Sequence, residues 1–183
     1  EATLDILDEA TGAVRHVPRI MIEGEMFRLG PDGSIYQLDH ATAVDISELP
    51  GGILKRDRNG KIIHFEGTRR TRITNFPSGT TNWERDYTVD RRGEIYVKNR
   101  QKNYHGLMNV EVFGTDGNRK RRAIEITCDG SLGPKVDPQG NLYMAECIKP
   151  LGQPFPKELE GRIPAGREGD YAWIYGSIIK YGP

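Results

Sequence analysis

The sequence predicts an all-β protein built from repeated four-stranded antiparallel units, on three observations. A tight turn that re-enters as a strand occurs three times, as Pro31-Asp32-Gly33-Ser34-Ile35-Tyr36, Asp90-Arg91-Arg92-Gly93-Glu94-Ile95-Tyr96 and Asp137-Pro138-Gln139-Gly140-Asn141-Leu142-Tyr143. A second turn follows each of the first two copies, as Asp57-Arg58-Asn59-Gly60 and Asp116-Gly117-Asn118. Each second turn joins two more strand-like runs: Ile53 to Arg56 with Lys61 to Phe65, and Met108 to Phe113 with Arg119 to Ile126.

The turn chemistry is local. Gly33, Gly93 and Gly140 stand where a hairpin turn needs positive φ, which glycine adopts without steric cost. Each Asp can bond the turn backbone through its carboxylate. The apolar-aromatic pair after each glycine starts a run of strong β-formers.

The units recur 58 and 47 residues apart, from Asp32 to Asp90 to Asp137. Four-stranded units at roughly 40–50 residues are the mark of β-propeller blades. A sandwich gives many short strands but no reason for one turn to return in phase. The chain therefore divides into the last two strands of a preceding blade (1–22), a blade (23–66), a second blade (86–127) and an incomplete blade (133–183) carrying an insertion at 148–172. That is about three blades. Because a closed propeller needs at least four, the expectation is a segment of a larger propeller, completed by further blades of the same protein or by a partner chain. The predicted core comprises Ile35, Val89, Ile95, Val97, Val112, Val136, Leu142, Ile174 and Ile178.

Thr88-Val89-Asp90 through Val97, with Val110 to Gly117, resembles the NHL-type propeller repeats. Their blades read roughly Val-Asp-x-x-Gly-x-Ile-Tyr-Val and then a run ending near Phe-x-x-x-Gly. Lys135 to Ala145 matches next best, whereas in Gly30 to Leu38 the pair Leu29-Gly30 replaces the Val-Asp approach. The resemblance covers roughly two-thirds of the chain and implies a fold, since such propellers include scaffolds, receptors and enzymes. It also implies an extracellular or periplasmic location.

Composition narrows the partners. The chain has 26 basic and 26 acidic residues, so neither nucleic acid nor an anionic membrane is the default partner. No apolar run reaches the length of a membrane span. Arg119-Lys120-Arg121-Arg122 runs into Ala123-Ile124-Glu125-Ile126 and reads as an exposed strand face. Arg69-Arg70-Thr71-Arg72 lies in a connection, free to bind an anion or to pair with Glu84 and Asp86. Cys128 and Cys147 form no CxxC pattern, which disfavours a zinc ribbon and c-type haem. They are either a disulfide or two buried thiols.

Loop asymmetry places the chemistry. The turns at one end of the blades are tight, while the connections at the other end, Asp39 to Gly52, Glu66 to Arg85, Asn99 to Gly106 and Glu146 to Ala172, are long. Long loops on a rigid scaffold are where binding and catalysis reside. The second strands end there at Asp39-His40, Asn99-Arg100 and Glu146-Cys147, with Tyr104, His105 and Trp83 nearby. These predict a polar ring of ligand-binding residues: Asp39, His40, Asn99, Arg100 and Glu146, with Tyr104, His105 and Trp83.

The favoured expectation is a non-catalytic scaffold whose long-loop face holds a protein, a glycan or an adjoining domain, with no cofactor. One alternative is a metal-dependent hydrolase or lyase resembling the lactonase-like propellers, with calcium or zinc held by His40, His105 and Glu146 or by acidic and amide groups such as Asn99. Another is a scaffold subunit of an electron-transfer assembly. Asp57 to Gly60 lacks the further acidic ligands of a calcium loop and reads as a turn.

Overall fold

The computed structural model describes residues 4–7, 10–17, 27–39, 52–74, 86–100, 107–128, 132–146, 154–155, 157–166 and 176–183. They form an all-β structure with three antiparallel sheets and one hairpin. The hairpin pairs β1 (Leu4–Leu7) with β2 (Val14–Val17). Blade I contains β3 (Phe27–Leu29), β4 (Ile35–Asp39), β5 (Gly52–Arg56) and β6 (Arg72–Ile73). Blade II contains β7 (Tyr87–Val89), β8 (Ile95–Arg100), β9 (Leu107–Phe113) and β10 (Arg119–Cys128). Blade III contains β11 (Leu132–Val136), β12 (Leu142–Glu146) and β13 (Ser177–Tyr181). Within each sheet the strands lie in chain order, as in a propeller blade. In the segment between β12 and β13, Lys157–Leu159 forms one 3-10 turn.

Five turns share one hydrogen-bond pattern. In each, the carbonyl of the first residue accepts from the N–H of a glycine three positions on, at 2.9–3.0 Å. The first residue's own N–H donates to the carbonyl four positions on. The first residues are Gly30, Asp57, Asp90, Gly114 and Asp137, and the glycines are Gly33, Gly60, Gly93, Gly117 and Gly140, all with φ between 73° and 89°. This is a type I turn closed by a glycine bulge. Where Asp leads, its Oδ1 accepts the N–H groups two and four residues on, as Asp90 does from Arg92 (2.9 Å) and Glu94 (2.8 Å). Where Gly leads, an Asp two residues on accepts instead, as Asp116 does from Asn118 at 2.9 Å.

Blades pack face to face across two seams. Between blades I and II lie Tyr36, Leu38, Ile53, Phe65, Ile73, Tyr87, Ile95, Val97 and Phe113. Between blades II and III lie Tyr96, Val110, Val112, Ile124, Leu142 and Met144, with Val136 and Tyr181 against them. The first strands adjoin, β7 against both β3 and β11. The Tyr87 ring crosses into blade I and its hydroxyl donates to the Tyr36 carbonyl at 2.9 Å, so the buried phenol is satisfied. At the hairpin, Arg15 donates to Arg58 O (2.7 Å) and Asn59 Oδ1 (3.1 Å), tying β2 to a turn of blade I.

Two sequence expectations are corrected. The fourth strand of blade I is not Lys61 to Phe65 but Arg72–Ile73. The chain leaves the Asp57 turn with a single bridge, Arg56 to Ile62, and then departs because Phe65 is drawn into the seam. There Glu66 N donates to Thr115 O (3.1 Å) and Arg70 to Gly117 O (2.7 Å), so this excursion docks on a turn of blade II. The first part of the Glu66 to Arg85 connection thus lies at the tight-turn end. Ile178 is the second correction: it is 78% exposed. The inward face of β13 carries Ile179 and Tyr181, register partners of Met144 and Leu142, and a one-residue offset sends Ile178 outward. Ile174 lies outside the described residues.

The outer strand β10 serves two buried carboxylates. Glu111 is 0% exposed and accepts from Arg119 Nε and from Arg122 Nε at 2.8 Å. Glu94 accepts from Lys120 (2.7 Å) and Arg121 (3.4 Å), with Arg92 at 3.6 Å. The basic run is therefore exposed, as its sequence suggests, yet its head groups turn back to neutralise acids inside the sheet.

Two predictions follow from this packing. Gly33→Ala should cost about 1–2 kcal/mol, the penalty of a left-handed alanine, because nothing lies within 4 Å of the added Cβ. Gly117→Ala should cost about 1–3 kcal/mol more, since its Cβ would sit 3.1 Å from the Phe65 ring. Urea denaturation compares them, and equal losses would show that Phe65 does not press on the turn. For Glu94, burial raises the carboxyl pKa, but Lys120 and the arginines outweigh it and hold it below the ordinary 4.5. A depressed carboxylate stabilises the fold above its unfolded pKa and loses that contribution as pH falls through its folded one. Glu94→Gln should flatten the fall in Tm below about pH 4.5, and an unchanged acid limb would contradict this assignment.

Candidate functional site

The second strands run in parallel from the tight-turn end, so β4, β8 and β12 finish at the same end, at Asp39, Arg100 and Glu146. Their register partners there are Gly52, Met108 and Ser177. His40, Trp83, Tyr104, His105 and Cys147 lie outside the described residues, as do the side chains of Asp39, Arg100 and Cys128. Asn99 and Glu146 are the described members of the predicted ring.

These two do not meet. Asn99 continues the Ile95-Val97 stripe and faces the seam between blades I and II. Glu146 continues the Leu142-Met144 stripe and faces the seam between blades II and III. Sheet II stands between them. Both are buried, Asn99 at 0% and Glu146 at 5% exposure. Glu146 Oε1 accepts from the Tyr181 hydroxyl at 2.9 Å, which lies along the inward face of β13.

The residue beside Asn99 was not singled out by the sequence. Asn109 is its register partner on β9, and it is 4% exposed. The Oδ1 atoms of both asparagines are buried without a hydrogen-bond partner among the described residues. The Asn99 amide nitrogen donates only a long bond, to Val97 O at 3.4 Å. The two orphaned acceptors stand on neighbouring strands, on the same face as the buried Glu111, the register partner of Val97.

A third polar cluster lies where the first strands begin. Asp86 Oδ1 accepts from Arg28 at 3.0 Å and from Tyr87 N at 2.7 Å, and Oδ2 accepts from Gly133 N at 3.1 Å. One carboxylate thus joins blades I, II and III. Arg28 also donates to Tyr87 O (3.0 Å) and lies over the Tyr87 ring at 5.5 Å. Asp86 is therefore committed to Arg28, not to the Arg69 to Arg72 cluster. Its position was signalled by spacing: Asp86 precedes Asp90 by the same interval as Gly133 precedes Asp137.

Among the described residues, no group of three or more His, Cys, Asp or Glu side chains is placed to hold a metal ion. No helix among them is long and apolar enough to cross a membrane. No protein-family model, curated protein or solved structure matches the chain.

Each orphaned amide oxygen should cost about 1–3 kcal/mol relative to an apolar group of similar shape. Asn99→Leu combined with Asn109→Leu should therefore raise the unfolding free energy in chemical denaturation. A loss of stability would mean that both amides are satisfied in solution.

Proposed function

We propose that this chain is a non-catalytic scaffold of propeller-like blades, whose long-connection end holds a protein, a glycan or an adjoining domain. The observation that carries this reading is the polarity of the connections. Five turns of one type occupy one end, while residues 40–51, 101–106 and 147–176 link consecutive strands at the other. Connections at the end of a rigid sheet stack are where binding residues are commonly carried without disturbing the scaffold. Below them, Asp86 with Arg28 links blade II to blade I, and Glu146 with Tyr181 ties β12 to β13 in blade III, through partly buried hydrogen bonds.

The test is a glycan array and a displayed peptide library probed with the chain, followed by Trp83→Ala, Tyr104→Ala and His105→Ala. A captured ligand should bind at least about tenfold more weakly to one of these variants. Arg58→Ala, at the opposite end, should leave it bound. Capture that depends on Arg58 and ignores the three long-connection residues would reverse the assignment of faces.

A second reading has one observation in its favour. The paired Asn99 and Asn109 oxygens are neutral hard donors of the kind calcium accepts, as a metal-dependent propeller hydrolase or lyase requires. Calcium should then raise Tm in the wild type and not in the double leucine variant. A shift that persists in the variant would place the ion elsewhere.

A further inference from the structure

At the tight-turn end, the turns of blades II and III flank a cleft of about 180 Å³. Its lining includes Asp90, Arg91, Arg92, Arg121, Asp137 and Pro138. By formal charge the cleft is nearly balanced, but its donors and acceptors are not equally engaged. Asp137 is saturated: Oδ1 accepts from Gln139 N and Asn141 N, both at 2.9 Å, and Oδ2 accepts from Asn141 Nδ2 (2.7 Å) and the Tyr143 hydroxyl (3.0 Å). A carboxylate has about four lone-pair sites, and all are used. Asp90 gives Oδ1 to two turn amides and Oδ2 to Arg92 Nε at 3.3 Å. Both acids are thus turned into their own turns.

The guanidinium groups keep spare donors. Arg91 is exposed and has no hydrogen-bond or ion-pair partner among the described residues. The Arg92 side chain is 68% exposed, and its contacts with Asp90, Glu94 and Tyr96 engage only part of its five-donor fork. Arg121 lies over the Tyr96 ring at 5.7 Å, bonded to the Tyr96 hydroxyl and to Glu94 at 3.3 and 3.4 Å. Bonds to the Tyr96 hydroxyl and Glu94 hold Arg121 in place while its side chain stays 49% exposed. A guanidinium carries five donors in a rigid fork suited to carboxylate and phosphate oxygens.

We propose that this cleft between the turns of blades II and III binds a small oxyanion ligand, a carboxylate or a phosphate, through Arg91, Arg92 and Arg121. The site is independent of the long-connection end and puts a binding function on the face that the turn repeat builds. Arg121 supplies the oriented contact, and Arg91 and Arg92 close over the ligand from the turn.

Amide chemical-shift titration of the 183-residue chain with inorganic phosphate, and separately with succinate, at low ionic strength tests this. Saturable shifts should appear at Arg91 to Gly93 and at Gln139 to Gly140. Arg91→Ala should weaken binding by about threefold or more, and Arg121→Gln by about tenfold or more. Because Arg91 makes no hydrogen bond or ion pair among the described residues, its variant should fold normally, which far-UV circular dichroism checks. Tighter binding of phosphate identifies a phosphoryl ligand, and tighter binding of succinate a carboxylate. The proposal fails if neither probe gives saturable shifts in the turns, or if Arg91→Ala and Arg121→Gln leave the titration unchanged.

Discussion

With blade I on one face and blade III on the other, blade II meets water mainly along its outer strand, so polar side chains on its inner strands must find partners inside the protein. Residues 95–99 of β8 are all buried, although they alternate between two opposite faces. A strand open to solvent on one side would leave half of these positions wet. Glu111 illustrates the consequence, being fully buried and held by two arginines from the next strand. Removing one partner from such a group costs far more than the pair contributes, because the remaining charge is stranded. The basic run on β10 is therefore part of the interior chemistry of blade II, and its exposed position is what lets its long aliphatic stems reach back.

The same constraint sorts the polar residues by function. Among the satisfied groups, Asp86 holds blades together through Arg28 and Gly133, and Glu146 with Tyr181 ties β12 to β13 within blade III. The oxygens of Asn99 and Asn109 are left over among the described residues, and their burial makes the omission costly. At the opposite end the excess is of donors, on Arg91, Arg92 and Arg121. An unmatched acceptor pair at one end, and an unpaired Arg91 beside the partly engaged Arg92 and Arg121 at the other, depart from local consistency among the described residues, and such departures mark functional ground.

Much of the fold could be read before the structure. Turn positions, strand order and the start of each blade followed from Asp and Gly, because a turn closed by its own backbone and one carboxylate needs nothing remote. The strands after the turns followed from Ile95-Tyr96 and Leu142-Tyr143, whose β-branched, long aliphatic and aromatic side chains suit a pleated surface. The candidate site was legible only in part. Asn99 and Glu146 were identified as strand-end residues, but their placement on opposite faces of blade II depends on register and on which blade covers which face. Asn109 and Glu111 alternate with valines, and that alternation reads as a wet strand face until a neighbouring sheet covers it.

The sequence by itself determined the local elements: five turns, their glycines, and the antiparallel strands they join. Those depend on contacts between residues a few positions apart, which composition and spacing reveal. Tertiary structure decided the rest. It moved the fourth strand of blade I from Lys61 to Phe65 onto Arg72–Ile73, because Phe65 found a pocket beside Gly117 of the next blade. It turned Ile178 outward and Glu146 inward, because a single-residue register reverses every side chain in a strand. It also brought Asp90 and Asp137 to the two sides of one cleft, far apart in the chain and adjacent only because neighbouring blades stack face to face.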